Sequence, residues 1–385
     1  MKPKFYILPV IIISQFFCTS LWFAGNAVID DLVRHFDTDF NILGYLLSFV
    51  QFGFIIGTLT FALLTLADRF SPSRIFMICA FLGALCNLSL LIPNITIFNL
   101  LTARFGTGFF LAGIYPVGMK IASDYYKDGL GKALGFLVGA LVLGTAFPHF
   151  INQFYQNQDF KAVIIATSIL ALVGGISIQV FVPDGPYRKA VPKLQLGVIT
   201  QLFDILSFRK ASFGYFGHMW ELYTFWMFIP IMLKTYNSIH HVKIPISLWS
   251  FIIIGTGAIS CIFGGLISLK IGSKKVAYQS LLISGIFCLA SPFLFFLSKD
   301  IFLGALCIWA MFVISDSPQF STMVAVAAPP ELRGTGLTIT NCIGFAITIA
   351  SIQLLSFLAD HTDNSIWLYP ILGLGPAFGL YALRK

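Results

Sequence analysis

A few ionisable side chains lie inside long apolar stretches of the sequence, where charge is costly. His218 and Glu221 are three residues apart, so on a helix they occupy one broad face. Glu221 falls near the middle of its stretch, so we expect it to carry a proton for part of a working cycle. An imidazole changes charge near neutral pH, which makes His218 a suitable partner. This pair indicates proton coupling or substrate binding; the alternative is a buried polar contact that locks two helices.

Asp316 is a second acid of this kind. Pro318 follows it and removes a backbone hydrogen bond, which predicts an opening of the helix at this point. Gln319 lies next to that proline, and Trp309 precedes Asp316 by about two turns on the same face. Asp316 is nearer the end of its stretch, so a binding role, a gate and a structural contact are all compatible with it.

Arg104 is the deep cation of the sequence. Arginine stays charged and presents a planar fork that fits carboxylate or phosphate groups. An anionic substrate would explain its position, and so would an ion pair with an acid on another helix. Tyr115 follows about three turns later on nearly the same face. The first apolar stretch carries a polar stripe at helical spacing, which we expect to line a cavity: Gln15, Thr19, Trp22 and Asn26.

Membrane helices must position these residues. Of the 385 residues, 57% are hydrophobic and 10% charged, whereas a soluble globular domain has about 25% charged residues. A helical span needs about 20 apolar residues, and twelve such spans leave no room for a sizeable soluble domain. The predicted spans are 5–29, 41–65, 74–92, 97–122, 131–153, 162–182, 207–232, 246–269, 276–297, 301–324, 335–358 and 366–383.

The basic residues indicate the orientation of the chain in the lipid bilayer. The formal net charge is +8, but its location in short loops argues against a nucleic-acid partner. Most Lys and Arg residues fall on the side of the N-terminus, and the opposite loops are rich in Asp. The positive-inside rule therefore predicts a multi-pass protein of the bacterial inner (plasma) membrane with both termini cytoplasmic. The polar stretch 186–206 is predicted to be a cytoplasmic linker between two six-helix halves, 1–185 and 207–385.

Two loops repeat at nearly the same spacing in the two halves. The loop 66–74 joins the second and third spans, and the loop 265–275 joins the eighth and ninth, with Leu269 at the position of Asp68. The openings of the fifth and eleventh spans repeat at a similar spacing. This pattern indicates two parallel six-helix repeats, an architecture of transporters.

The first of these loops carries a motif that resembles the G-x-L-A-D-R-x-G-R-[RK] pattern of a known family. The matching residues are Leu66, Ala67, Asp68 and Arg69. An R-x-x-x-G pattern starts at Arg104, and a Pro-Pro-Glu-x-Arg-Gly sequence precedes the eleventh span. Through these motifs nearly the whole chain resembles the major facilitator superfamily. The segment 217–223 is similar to uncharacterised bacterial members loosely described as cyanate or nitrate permease-like. The glycine-rich signature of nitrate porters is not evident in the fifth and eleventh spans, so that substrate is not carried over.

The resemblance implies an all-α membrane protein of twelve helices in two parallel pseudo-repeats. It implies a cavity lined by the first, fourth, seventh and tenth spans, which are also the most polar spans here. The predicted substrate and proton pathway comprises Gln15, Trp22, Asn26, Arg104, Tyr115, His218, Glu221, Trp309, Asp316 and Gln319. The resemblance further implies a cytoplasmic gate of loop residues: Asp68, Arg69, Arg74, Lys274, Lys275 and Arg333.

These observations predict a secondary active transporter that moves a small solute by alternating access, coupled to protons. Arg104 makes a small organic anion the leading substrate class. The alternatives are a drug or metabolite efflux pump, a uniporter for a neutral or cationic solute, and a non-transporting receptor or scaffold. The sequence has no H-E-x-x-H, G-x-S-x-G or P-loop pattern, and its 7 cysteines form no C-x-x-C pair. No enzyme activity, cofactor or metal is therefore predicted, and the expected form is a monomer.

Overall fold

The computed structural model describes residues 4–36, 42–93, 95–126, 130–155, 160–188, 196–362 and 365–384. The chain divides into two compact units, Met1–Lys193 and Leu194–Lys385. Residues 189–195 of the predicted linker lie outside the described residues, as do Met1–Pro3 and Lys385 at the predicted cytoplasmic termini. The described end of the linker forms a short helix, Ile199–Asp204.

The first unit contains six long helical segments, labelled α1 to α6 in chain order. Two of them are interrupted: α1 comprises Ile7–Thr19, Ala24–Ala27 and Ile29–Phe36, and α4 comprises Ile97–Leu111 and Tyr115–Tyr125. The others are α2 (Ile42–Leu63), α3 (Pro72–Leu88), α5 (Leu130–Phe154) and α6 (Lys161–Phe181). A short helix, Leu66–Arg69, lies in the α2–α3 loop.

The second unit contains the segments α7 to α12. The uninterrupted helices are α7 (Leu206–His240), α8 (Ile246–Ile271), α9 (Ser273–Leu294) and α11 (Arg333–Asp360). The helix α10 comprises Lys299–Ser315 and Ser317–Ala327, and α12 is a 3₁₀ turn, Tyr369–Gly373, that continues as Leu374–Leu383.

Twelve segments account for the membrane-spanning part. Nine of the described helices, α2 to α6 and α8 to α11, are long and apolar enough to cross a membrane. The other three are α7, with 35 residues that include several polar ones, and the shorter apolar helices Ile7–Thr19 and Tyr369–Leu383. The twelve-helix, all-α membrane fold predicted from the sequence is confirmed.

The interruption of α10 has a local cause. The helix breaks at Asp316, because the nitrogen of Pro318 has no hydrogen to donate to the carbonyl of Ile314. The thiol of Cys261 on α8 donates to that carbonyl instead, with an S···O distance of 3.8 Å. The opening of the helix near Pro318 agrees with the sequence expectation, and it places Asp316 between two helical segments.

Glycines permit the closest helix contacts in each unit. A Cβ on Gly108 of α4 would lie 1.8 Å from the carbonyl oxygen of Val50 on α2. A Cβ on Gly217 of α7 would lie 2.4 Å from the carbonyl oxygen of Gly375 on α12. Small residues allow backbones to approach this closely in membranes. Each unit therefore contains a closely packed helix pair, α2 with α4 in the first and α7 with α12 in the second.

Candidate functional site

His218 and Asp316 meet inside the second unit. His218 Nδ1 and Asp316 Oδ1 are 2.8 Å apart, and both side chains are fully buried. Asp316 stands at the break of α10, where its carbonyl accepts hydrogen bonds from the backbone N–H groups of Gln319 and Phe320. Gln319 is also buried. An imidazole and a carboxylate at this distance form an ion pair when the imidazole is protonated, so the contact joins α7 to the break in α10.

Glu221 lies almost one turn further along α7 and is held from α9. Its Oε2 accepts a hydrogen bond from the Cys288 thiol at 3.2 Å, and Ser284, one turn earlier on α9, faces the same carboxyl. Its Oε1 has no hydrogen-bond partner among the described residues. Asp316 is close enough for the two acids to interact electrostatically. We call His218, Glu221 and Asp316 the α7–α10 cluster.

Aromatic rings surround the α7–α10 cluster. The rings of Tyr215 and Phe320 have their centroids 5.8 and 6.1 Å from that of His218. Trp309 is buried and packs against Phe225 of α7, with ring centroids 4.4 Å apart. These rings lower the local polarity, so electrostatic interactions within the cluster are stronger than they would be in water.

Arg104 is buried in the first unit and binds backbone carbonyls. Its Nη2 donates to the carbonyl oxygens of Leu21 and Trp22, at 3.2 and 2.6 Å, and its Nη1 donates to Asn87 Oδ1 at 3.3 Å. No carboxylate of the described chain contacts it. The two carbonyls belong to the break in α1, just beyond the helix C-terminus, where a positive charge is favourable. Arg104 thus pairs with two backbone carbonyls at the break in α1 and stabilises it.

The polar stripe of α1 is buried as well. Neither the amide of Gln15 nor that of Asn26 has a hydrogen-bond partner in the parts of the chain that the structure describes. Trp22 packs against Phe54 of α2, with ring centroids 5.0 Å apart. Tyr115 begins the second segment of α4 and is half-buried. The first unit therefore presents unpaired amides beside an aromatic pair.

Charged residues near the α2–α3 loop form a second group in the first unit. Lys120 Nζ on α4 lies 3.0 Å from Asp68 Oδ1 and 3.7 Å from Asp124 Oδ1. Arg188, which follows α6, donates to the carbonyl oxygens of Asp68 and Phe70 at 3.0 and 2.7 Å. Asp68 is thus tied to both α4 and the chain after α6. We call Asp68, Lys120, Asp124 and Arg188 the α2–α3 loop cluster.

The other predicted gate residues are more exposed. Arg69 and Arg74 are exposed, and neither side chain makes a hydrogen bond or ion pair with another described residue. In the second unit Leu269 replaces the acid and is 78% exposed, and Lys274 and Lys275 are exposed too. Arg333 donates from Nε to the carbonyl of Ala325 at 2.8 Å. Because the acid is missing, the α8–α9 loop has no equivalent of the Asp68–Lys120 pair.

Six polar side chains that bind predicted site residues or each other were not predicted to do so. They are Ser284, Cys288, Asn87, Lys120, Asp124 and Arg188. Spacings of four residues, Ser284 with Cys288 and Lys120 with Asp124, are visible in the sequence and place each pair on one helix face. Nothing local signals Arg188, because its contacts depend on the path of the chain after α6.

Asp68→Asn is expected to slow transport several-fold without lowering expression. The variant loses the ion pair with Lys120 but keeps the carbonyl that Arg188 binds. A pair of this kind contributes up to about 1 kcal/mol, which corresponds to roughly a fivefold change in a conformational equilibrium. Flux into proteoliposomes measures the effect, and Asp204→Asn, the same change at an exposed aspartate outside the gate, is the matched control. Equal flux in both variants and the wild type would show that the pair has no role in transport.

The fold and the buried groups together define a class of protein. A twelve-helix membrane protein with helices interrupted beside ionisable side chains has the architecture of a solute transporter. A family model describes this architecture and matches residues 11–352. The chain belongs to the major facilitator superfamily.

Solved structures of transporters share the fold over nearly the whole chain. A D-xylose-proton symporter has a TM-score of 0.76 at 14% identity, covering 97% of this chain and 97% of that one. The proton:xylose symporter XylE, bound to 6-bromo-6-deoxy-D-glucose, has a TM-score of 0.73 at 15% identity, covering 98% and 94%. The human organic anion transporter MFSD10 (TETRAN) has a TM-score of 0.72 at 12% identity, covering 100% of both chains. No curated protein sequence matches the chain. At such low identities these likenesses show the fold and not the substrate.

Proposed function

We propose that the protein is a secondary transporter that moves a small solute across the inner membrane by alternating access and couples this movement to protons. The observation that carries the proposal is the α7–α10 cluster, with its 2.8 Å His218–Asp316 contact and Glu221 beside it. Two of the similar structures are proton-coupled xylose symporters, which is consistent with this chemistry.

The side chains of the α7–α10 cluster can bind and release protons. Two carboxyls and one imidazole carry a net negative charge when all are ionised, and neither acid forms an ion pair with a described Lys or Arg. Uptake of one proton makes the cluster neutral. His218 lies on α7 and Asp316 at the break of α10, so a movement at the break changes their contact. Such a change alters which protonation state is favoured, and a proton gradient then biases the conformational equilibrium.

The proposed pathway also includes residues outside the cluster. It comprises Gln15, Trp22, Asn26, Arg104, Tyr115, Trp309 and Gln319, with Arg104 in a positioning role. The proposed cytoplasmic gate comprises Asp68, Arg69, Arg74, Lys274, Lys275 and Arg333, and the contacts of Asp68 make it the central residue of that gate.

The contacts of Arg104 bear on the substrate class. The sequence favoured a small organic anion because Arg104 was the deep cation, and one similar structure is an organic anion transporter. Two carbonyls and one amide oxygen now account for the position of Arg104. These contacts hold Arg104 without an anionic substrate, and a neutral solute fits the first unit at least as well.

Solute and proton fluxes measured together test the proposal. Proteoliposomes with a trapped pH dye would be exposed to single monosaccharides, polyols and short carboxylates, with and without a pH gradient. We expect at least one solute to change the internal pH that the dye reports, and to accumulate inside the proteoliposomes when the pH gradient is present. Solute uptake without proton movement would indicate a uniporter, and no uptake of any probe would favour a receptor or scaffold.

The proposed orientation predicts which cysteines react from outside. Lys274 lies in the first turn of α9, at its proposed cytoplasmic end, and Lys243 lies in the proposed outer α7–α8 loop; both are exposed. In intact cells, a membrane-impermeant thiol reagent should label Lys243→Cys and not Lys274→Cys. The native thiols are buried or half-buried and give little background. The reverse labelling pattern would overturn the orientation.

A further inference from the structure

Asn26, Gln51 and His149 are among the buried side chains of the first unit whose polar atoms have no hydrogen-bond partner in the described part of the chain. Asn26 is 4% exposed, Gln51 0% and His149 3%. Both amide atoms of Asn26 and of Gln51, and Nε2 of His149, lack a hydrogen-bond partner within the described ranges. A buried polar atom is costly when it is left unpaired. Several such atoms in one region therefore indicate a ligand that pairs with them.

Asn26 and Gln51 lie at the same depth of the first unit. The contact between Trp22 and Phe54 joins α1 to α2, with ring centroids 5.0 Å apart. α2 follows α1 and crosses back in the opposite direction. Asn26 is about one turn beyond Trp22, and Gln51 is about one turn before Phe54 on the same face of α2. Because α1 and α2 run in opposite directions, both displacements lead towards the same end of the unit. The two amides therefore lie at a similar depth.

His149 reaches this level from α5. The Asn152 side chain of α5 donates to the carbonyl of Ala27, with an N···O distance of 2.8 Å. His149 precedes Asn152 by three residues, a rise of about 4.5 Å. The imidazole therefore lies within about one turn of the depth of Asn26. Three helices, α1, α2 and α5, each contribute an unpaired polar group to one level.

The chemistry of these groups specifies the ligand. An amide offers both a donor and an acceptor, and a neutral imidazole nitrogen does one or the other. A hydroxyl group also donates and accepts, whereas a carboxylate only accepts and would leave the amide oxygens unpaired. The nearby cation, Arg104, is directed at the carbonyls of Leu21 and Trp22.

We propose that Asn26, Gln51 and His149 form a subsite for the hydroxyl groups of an uncharged, polyhydroxylated solute of the size of a monosaccharide or polyol. The subsite rests on the proposed transport function and names its substrate class. Gln51 and His149 are thereby added to the proposed substrate pathway. The sequence analysis did not include either residue in it.

Thermal shift on the purified wild-type protein compares matched neutral and charged probes. The probes are D-xylose, D-glucose, xylitol and D-glucitol, with D-xylonate and D-gluconate as the carboxylate counterparts. We expect at least one neutral probe to raise Tm and its carboxylate counterpart to have no effect. The proposal would be overturned if only the carboxylates raise Tm, or if no neutral probe raises it.

Gln51→Leu separates a binding role from a structural one. The variant should bind the active neutral probe at least tenfold more weakly, and its Tm without ligand should be equal or higher, because an unpaired amide is removed. The control is Asn87→Leu, since the Asn87 amide donates to Ile164 O and Thr167 Oγ1, both at 3.1 Å. That variant should lose Tm. If Gln51→Leu lowers Tm equally and leaves binding unchanged, the amide is structural and the proposal fails.

Flux under a pH gradient distinguishes failure of this subsite from failure of proton coupling. A neutral probe that binds and moves without protons would remove the coupling and leave the subsite. Proton-driven uptake of a carboxylate, with no binding of the neutral probes, would remove the subsite and leave the coupling.

Discussion

Glu221→Gln is expected to abolish accumulation driven by a pH gradient while sparing solute exchange. The glutamine keeps the size of the side chain, and its amide oxygen can still accept the hydrogen bond from the Cys288 thiol. It cannot take up or release a proton. With one proton per solute, a gradient of one pH unit supports roughly tenfold accumulation, since about 1.4 kcal/mol corresponds to a factor of ten. The variant should approach a ratio of about one.

Proteoliposomes with an imposed gradient provide the measurement. Accumulation is followed with the gradient present, and exchange is followed with equal solute on both sides. Glu331→Gln is the matched control, because Glu331 is the other glutamate of the chain and is exposed near the start of α11. The control should accumulate solute as the wild type does.

Two outcomes would contradict this prediction in different ways. Full accumulation by Glu221→Gln would show that another residue binds the coupled proton. Asp316→Asn would then be the next variant to measure. A wild type that ignores the gradient would remove proton coupling altogether and favour a uniporter.

Arg104→Ala is expected to lower the stability of the first unit by about 2–5 kcal/mol and to abolish transport. Three hydrogen bonds are lost, and the carbonyls of Leu21 and Trp22 are left without this donor at the break of α1. Hydrogen bonds to charged groups contribute about 1.5–3 kcal/mol each in soluble proteins, but the average in membrane helices is about 0.6 kcal/mol. Three bonds therefore contribute about 2 kcal/mol on the membrane scale and about 4.5 kcal/mol at the lower end of the soluble-protein scale. Thermal unfolding in detergent, with solute flux, measures both effects.

Arg104→Lys separates the structural role from binding of an anion. A lysine keeps the charge but lacks the planar fork, so it can satisfy one carbonyl and not the full set. We expect an intermediate Tm. If Arg104→Lys or Arg104→Ala keeps the wild-type Tm but loses stabilisation by an organic anion, Arg104 binds substrate and does not close the break in α1.

The sequence by itself determined the membrane class and the number of helices. A bilayer requires apolar runs of about 20 residues with internally satisfied backbones, and this requirement is local, so it can be found without knowledge of the packing. The same is true of the break in α10, because Pro318 lacks the N–H that the helix needs. The buried ionisable residues were also visible, since charge within an apolar run stands out.

The partners of those residues were decided by the tertiary structure. Spacing suggested His218 as the partner of Glu221, yet His218 contacts Asp316, and Glu221 accepts from Cys288 on α9. Side chains three positions apart on a helix diverge by roughly 60°. Which neighbour each one meets therefore depends on the helices that flank α7. That arrangement is set by packing between distant segments and not by local sequence.

Arg104 shows the same limit in the first unit. Its sequence context allowed an anion or an acid as partner, and neither expectation included a backbone carbonyl. Carbonyls become available as partners only where a helix is interrupted, and the interruption of α1 lies far from Arg104 in sequence. The depth shared by Asn26, Gln51 and His149 likewise follows from contacts between α1, α2 and α5. Relative depth and orientation of helices are properties of the packed unit, so only the tertiary structure decided them.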